Sequence, residues 1–161
     1  VTVKGTRTGE IVTEWGDEDR TFRLGIGQWR KLQEKLDVGP GELARRLGGL
    51  LEFRRRFPKA SIVELLLLGG AGDWRVDDVR EVLMQGLVGG GLNPTEAGRL
   101  VRDLHDERPL LENVPLAFEI VLASFIGPED EPLGKPQGEA EANPSPAESS
   151  ASPTSTETAP S

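Results

Sequence analysis

From Gly127 to Ser161 the chain carries seven prolines, seven acids, one base (Lys135) and a single large aliphatic residue, Leu133. Ordering these 35 residues would cost about 1–2 kcal/mol each, on the order of 50 kcal/mol together. Burying Leu133 contributes only about 2 kcal/mol against that. Residues 127–161 are therefore expected to form a disordered acidic Pro/Ser-rich tail, and whatever folds must fold within residues 1–126. The tail holds −6 of the −8 formal net charge, so the acidity of the chain says little about partners of the folded part.

The remaining composition closes off several chemistries. Cysteine and tyrosine are absent and His105 is the only histidine. Thiolate zinc sites, disulfide frameworks, cysteine nucleophiles and His-based triads all need residues the chain lacks. No apolar run reaches the ~18 residues of a membrane span, and the N-terminus has no apolar core resembling a secretory signal. The expectation is a soluble intracellular protein without a cofactor, with binding, assembly or a carboxylate-based enzyme still open.

Within 1–126 the hydrophobic period changes once. Apolar positions alternate at Ile11, Thr13 and Trp15 and again at Phe22, Leu24 and Ile26, around the turn cluster Gly16-Asp17-Glu18-Asp19, which predicts a β-hairpin. Val1 and Val3 suggest a short third strand. After Gly27 the spacing becomes helical: Trp29, Leu32 and Leu36 share a face over about 28–37, stopped by Gly39-Pro40. Leu43, Leu47, Leu50 and Leu51 continue the pattern up to Pro58. Ser61-Ile62-Val63-Glu64 is a capping box that opens a short helix holding Leu65, Leu66, Leu67 and Leu68. Asp77 or Asp78 can cap a helix that carries Val79, Val82, Leu83 and Leu87. Asn93-Pro94-Thr95-Glu96 supplies cap, N1 proline and N3 glutamate for the next one. Pro115 opens a last, almost wholly apolar helix, closed at Ile126 by Gly127-Pro128. With only Glu119 and Ser124 polar between 116 and 126, that helix should be buried, with Ile120, Val121 and Phe125 in a core or an interface. The fold class is thus α+β, mostly α: an N-terminal hairpin, a small bundle of five to six helices, then the tail.

The polar constellations read mainly as structure. Gly25-Ile26-Gly27 lacks the third glycine of a dinucleotide fingerprint, since Arg30 stands there. Gly69-Gly70-Ala71-Gly72 and Gly89-Gly90-Gly91 lack the Lys-Ser/Thr of a phosphate loop and read as helix caps and hinges. Arg54-Arg55-Arg56, flanked by Phe53 and Phe57, is the only basic cluster. It suits a solvated helix end or an acidic partner better than nucleic acid, because no second basic patch supports it. His105 reads as a surface residue at a helix C-terminus. Asp17-Glu18-Asp19 and Asp77-Asp78 sit in a turn and a cap, which gives paired-carboxylate catalysis little support, so the expectation is a non-enzymatic cytoplasmic protein.

The stretch from Gly72 to Gly127 resembles the tail-assembly family of tailed phages and gene transfer agents, the one named for the tenth gene product of the agent's tail cluster. The matching features are the helix running into Gly86-Leu87-Val88-Gly89-Gly90-Gly91, the Thr95-Glu96-Ala97 start, Arg108-Pro109-Leu110, and the closing apolar helix with its terminal Gly127. The segment TFRLGIGQWRKLQEKL resembles the family's strand leading into its first helix. The resemblance covers about 9–52 and 72–127, with 53–71 set apart as an insertion or lengthened link. It implies a non-enzymatic tail assembly chaperone that binds the tape measure protein and supports assembly of the tail tube protein. The alternatives are a structural tail tube component and, resting only on the arginine cluster, a small nucleic-acid-binding regulator. A homo-oligomer is compatible with either tail role. The expected partner surface is the leucine face Leu43, Leu47, Leu50 and Leu51 together with Leu65, Leu66, Leu67 and Leu68, because so small a core should not hide them all.

Overall fold

The predicted alternation produces the hairpin directly. In the computed structural model, which describes residues 8–126 and the backbone of Lys4–Gly5, β2 (Glu10–Trp15) pairs antiparallel with β3 (Glu18–Arg23), Ile11 opposite Phe22 and Trp15 opposite Glu18. A two-residue strand β1 (Lys4–Gly5) adds on the other side of β2. Val1 and Val3, the expected third-strand residues, lie outside the described residues, as does the expected tail 127–161. The turn is tighter than the four-residue cluster suggests: only Gly16 and Asp17 connect the strands. Gly16 has φ +73°, which L side chains rarely adopt, so the position needs glycine; a Cβ there would also come within 2.9 Å of the end of the Leu104 side chain. Ile11, Thr13 and Trp15 face inward as expected, while Ile26 is 72% exposed because the helix has already begun there.

Six α-helices follow: α1 (Ile26–Leu36), α2 (Pro40–Arg56), α3 (Ile62–Leu67), α4 (Val76–Gly89), α5 (Pro94–Val101) and α6 (Val114–Ile126), with a π-helical turn at Arg102–Asp106 continuing α5. Their ends follow local chemistry. Pro40 sits at N1 of α2, where its missing N–H costs nothing. The Ser61 hydroxyl accepts the Glu64 N–H and the Glu64 carboxylate accepts the Ser61 N–H at 2.7 Å. Asn93 caps α5 through the Glu96 N–H at 2.9 Å. For α4 the cap differs from expectation: Arg75 takes the cap position, and Asp78 lies inside the first turn, accepting the Arg75 N–H at 2.8 Å. Asp78 is fully buried, and the Arg46 guanidinium of α2 stands 3.6 Å away, which ties the two helices together. Hydrogen bonds from Arg45 and then Arg46 hold the Glu42 carboxyl down to about 2.

One hydrophobic core joins these parts. Leu32 and Leu36 of α1, Leu43, Leu47 and Leu50 of α2, and Val79, Val82, Leu83 and Leu87 of α4 close over Ile11 and Phe22 of the hairpin. Helix α6 lies in the middle of the assembly, packed on α2, α4 and the hairpin. Ile120 and Val121 are buried, as the apolar run predicts, whereas Phe125 is half exposed and rests its ring 5.8 Å from Trp29. The last turn of α6 has run past the core at that point.

The end of α4 makes the closest contact in the fold. A Cβ built at Gly89 would lie 2.0 Å from the Arg23 carbonyl oxygen, and one at Gly90 would lie 2.0 Å from that of Thr21. The helix end thus rests backbone to backbone on β3, so Gly89 and Gly90 are more than caps. Gly90→Ala is expected to destabilise by about 1–3 kcal/mol through overpacking. Gly27→Ala, where a Cβ meets nothing within 4 Å, should instead stabilise by about 0.4–1 kcal/mol. Urea denaturation of both variants checks the pair; a Gly90→Ala protein as stable as the parent would mean that α4 does not rest on β3.

Candidate functional site

Short helix α3 is where the core fails to absorb the sequence. With six residues it has one inward position, and Leu65 fills it, fully buried. Around Leu65, Ile62 (46% exposed), Val63 (58%), Leu66 (57%), Leu67 (80%) and Leu68 (68%) face solvent, joined by the exposed Phe57 ring, which lies 5.0 Å from Phe53. Beside them an apolar cleft of about 280 Å³ runs between α2 and the loop before α6. Leu50, Leu51 and Ile62 line it from α2 and α3, Pro109, Leu111 and Pro115 from the segment leading into α6, and Arg54 and Glu112 are also in its lining.

This surface corrects the expected one. Leu43, Leu47, Leu50 and Leu65 are core residues with at most 5% exposure, so of the leucine face of 43–51 only Leu51 and the edge of Leu50 reach the cleft, and the rest is closed in this fold. Leu51 is half-buried on the cleft wall, and Leu66, Leu67 and Leu68 are exposed as expected. The face of α2 at i, i+4 and i+7 is covered by α6, whose Phe118 ring packs on Gly48. Sequence reasoning missed Ile62 and Val63, and it missed the contribution of Pro109, Leu111 and Pro115. The signal available for the first two was the cap at Ser61: it fixes the helix start, so in a helix this short only one of the following apolar residues can turn inward.

A second cleft, about 520 Å³, lies between α1, α4 and α5 and is lined by charge. Part of that charge is paired: Lys35 lies 2.5 Å from buried Glu81, and Arg80 lies 3.4 Å from Glu81 and 3.2 Å from Asp106. The Lys35–Glu81 pair fixes α1 on α4, while Lys31 and Glu34 line the cleft without an ion pair among the described residues. Among the described residues no helix is long and apolar enough to cross a membrane.

His105 is not on the surface; it is 2% exposed. The π turn carries it inward, against a polar node joining the hairpin to α6. Trp15 Nε1–H donates to Asn113 Oδ1 at 2.8 Å, and Asn113 Nδ2–H donates to the Leu104 carbonyl at 2.9 Å. Indole can only donate, so the Asn113 oxygen must face Trp15 and its amide hydrogens must face the π turn. Asn113 Nδ2 then stands 3.4 Å from His105 Nδ1, an arrangement that suits a neutral imidazole accepting at Nδ1. Burial lowers the His105 pKa below its ordinary value, with Asp106 opposing the shift and Arg80 adding to it. The native state therefore resists a proton that the unfolded chain accepts near pH 6.5. Stability from this site is present above that pH and is lost as pH falls toward the folded pKa. Glu119 acts in the opposite sense, because burial raises its pKa above the ordinary carboxyl value. Thermal midpoints at about pH 7.5 and 5.5, a window set around the ordinary histidine pKa, should fall more steeply for the parent than for His105→Gln. Equal falls would show that His105 is not held neutral.

Comparison with known proteins gives one result. The sequence model of a family described as phage tail tube protein, GTA-gp10, matches residues 8–69 and 46–127. Residues 46–69 fall in both matched segments, so the family pattern reaches into the stretch around α3 that the sequence reading set apart. No curated protein and no solved structure matches. The two segments together span the hairpin and all six helices. The chain belongs to the phage tail tube protein, GTA-gp10, family.

Proposed function

We propose that this tail protein is a non-enzymatic assembly chaperone of the bacterial cytoplasm that binds the tape measure protein and keeps it soluble while tail tube subunits assemble around it. The observation that carries the reading is the exposed α3 face: Ile62, Val63, Leu66, Leu67 and Leu68 within seven residues, each at least 46% exposed, on a chain whose core is otherwise closed. Covering such side chains is worth roughly 1–2 kcal/mol each, on the order of 5–10 kcal/mol together. Association itself costs at least about 4 kcal/mol. The surplus suits reversible holding of a helical client, as in helix-in-groove recognition, more than a permanent subunit contact. A long amphipathic client exposes continuous apolar stripes that aggregate unless covered.

A second observation favours the other tail role, a structural tube component. Exposed Phe125 and Ile126 form an apolar end on α6, about 15 Å along the helix from Pro115 at the cleft. Two different apolar patches at separate places are what a head-to-tail contact between copies requires. Mass spectrometry of purified particles separates the roles. The chaperone reading expects the protein in producing lysates and not in purified particles, with deletion giving tailless heads and an insoluble or degraded tape measure protein. Many copies per purified particle would reverse it in favour of the tube component.

A further inference from the structure

We propose that the α3 face selects one class of client segment: an amphipathic helix whose polar flank is acidic. This rests on the reading above only in taking α3 as the docking face. The last turn of α2 exposes Arg54, Arg55 and Arg56, and Lys59 follows on the link into α3. The nearby acids are already engaged. Glu52 lies 3.1 Å from Arg55 and 3.8 Å from Arg56, the Glu64 carboxylate turns back to Ser61, and Glu112 stands 3.9 Å from Arg108. Arg54 and Lys59 have no ion pair among the described residues, and Arg54 stands at the cleft itself. A chain of net charge −8 thus places positive charge with no ion pair among the described residues beside the exposed α3 patch.

Charge and shape together choose the occupant. Apolar side chains at helical spacing can enter the cleft between Leu51, Ile62 and Leu111 and lie along Leu66 and Leu67, while acids on the flank meet Arg54 and Lys59. A second copy offers no free acidic rim at its own α3 to meet these cations. A phosphate backbone would satisfy the arginines and leave the aliphatic patch uncovered. An anionic lipid surface would match both features, but it would leave the cleft of about 280 Å³ unfilled, whereas the side chains of a client helix can enter it.

The probes are two synthetic helical peptides of about 18 residues, long enough for several turns, with identical apolar faces and either Glu or Lys on the polar flank. Fluorescence anisotropy with the full chain should show the acidic peptide binding at least about tenfold more tightly, with the preference shrinking as salt rises. Leu67→Ser should weaken both peptides, Ile26→Ser on α1 neither, and Arg54→Glu with Lys59→Glu should abolish or invert the preference. Since these side chains are exposed and lie outside the core, circular dichroism should show all variants folded. Equal affinity for the two peptides overturns the proposal. So does loss of binding in Ile26→Ser as large as in Leu67→Ser. Self-association abolished by Leu67→Ser would assign the face to a second copy, and phosphatidylserine vesicles that displace the acidic peptide would assign it to lipid. Either result also overturns the proposal. Particle content and tail loss on deletion do not depend on the client's charge, so failure of this inference and failure of the chaperone reading are distinguishable.

Discussion

Two glycines at the end of α4 set the geometry on which the rest of the molecule depends. With Gly89 and Gly90 against the Arg23 and Thr21 carbonyls, α4 approaches β3 closer than any side chain permits, and the inner face of the hairpin is brought onto the helix. Gly86, three residues earlier, lets Phe22 and Ile120 meet over the same helix. Helix α6 can then lie between α2, α4 and the strands, and its apolar surface on nearly all sides finds partners. The Trp15–Asn113–His105 node fastens the far end of the hairpin to the start of α6. A core closed in this way needs only one residue from α3, and the other apolar residues of α3 remain outside.

Much of this was legible where chemistry is local. The alternation at Ile11, Thr13 and Trp15 gave the strand and its inner face, and Ser61/Glu64 and Asn93/Pro94 marked helix starts because caps act within four residues. What depends on contacts distant in sequence was not legible. Leu43, Leu47 and Leu50 share a stripe that serves a core or a partner equally well, and only the position of α6 decides. His105 follows helical spacing at a chain position that reads as a surface end; the π turn, which no local rule announces, rotates it inward. Gly89-Gly90-Gly91 reads as a cap from sequence, and the strand it touches lies more than 60 residues away.

The functional account follows from the same division of labour. The matched family places the chain among phage and gene transfer agent tail proteins, and the structure concentrates exposed aliphatic surface on a short, lightly anchored helix with cations at its margin. A helix held by Leu65 has few buried contacts, so it is drawn from the less stable part of the fold and can adjust to a docked partner. The closed core of α2, α4 and α6 need not change for that to happen. Positive charge near the apolar patch would speed encounter with an acidic client and let salt or competition release it.

The central claim, that α3 and its cleft form the docking face while the core stays closed, is tested most directly by hydrogen–deuterium exchange of the full chain with and without the tape measure protein. The account predicts new protection over residues 57–69 and 109–115, with α4 and the hairpin unchanged. Protection confined to the Phe125–Ile126 end of α6, or faster exchange across α2 and α4 as the core opens to expose Leu43, Leu47 and Leu50, would contradict it.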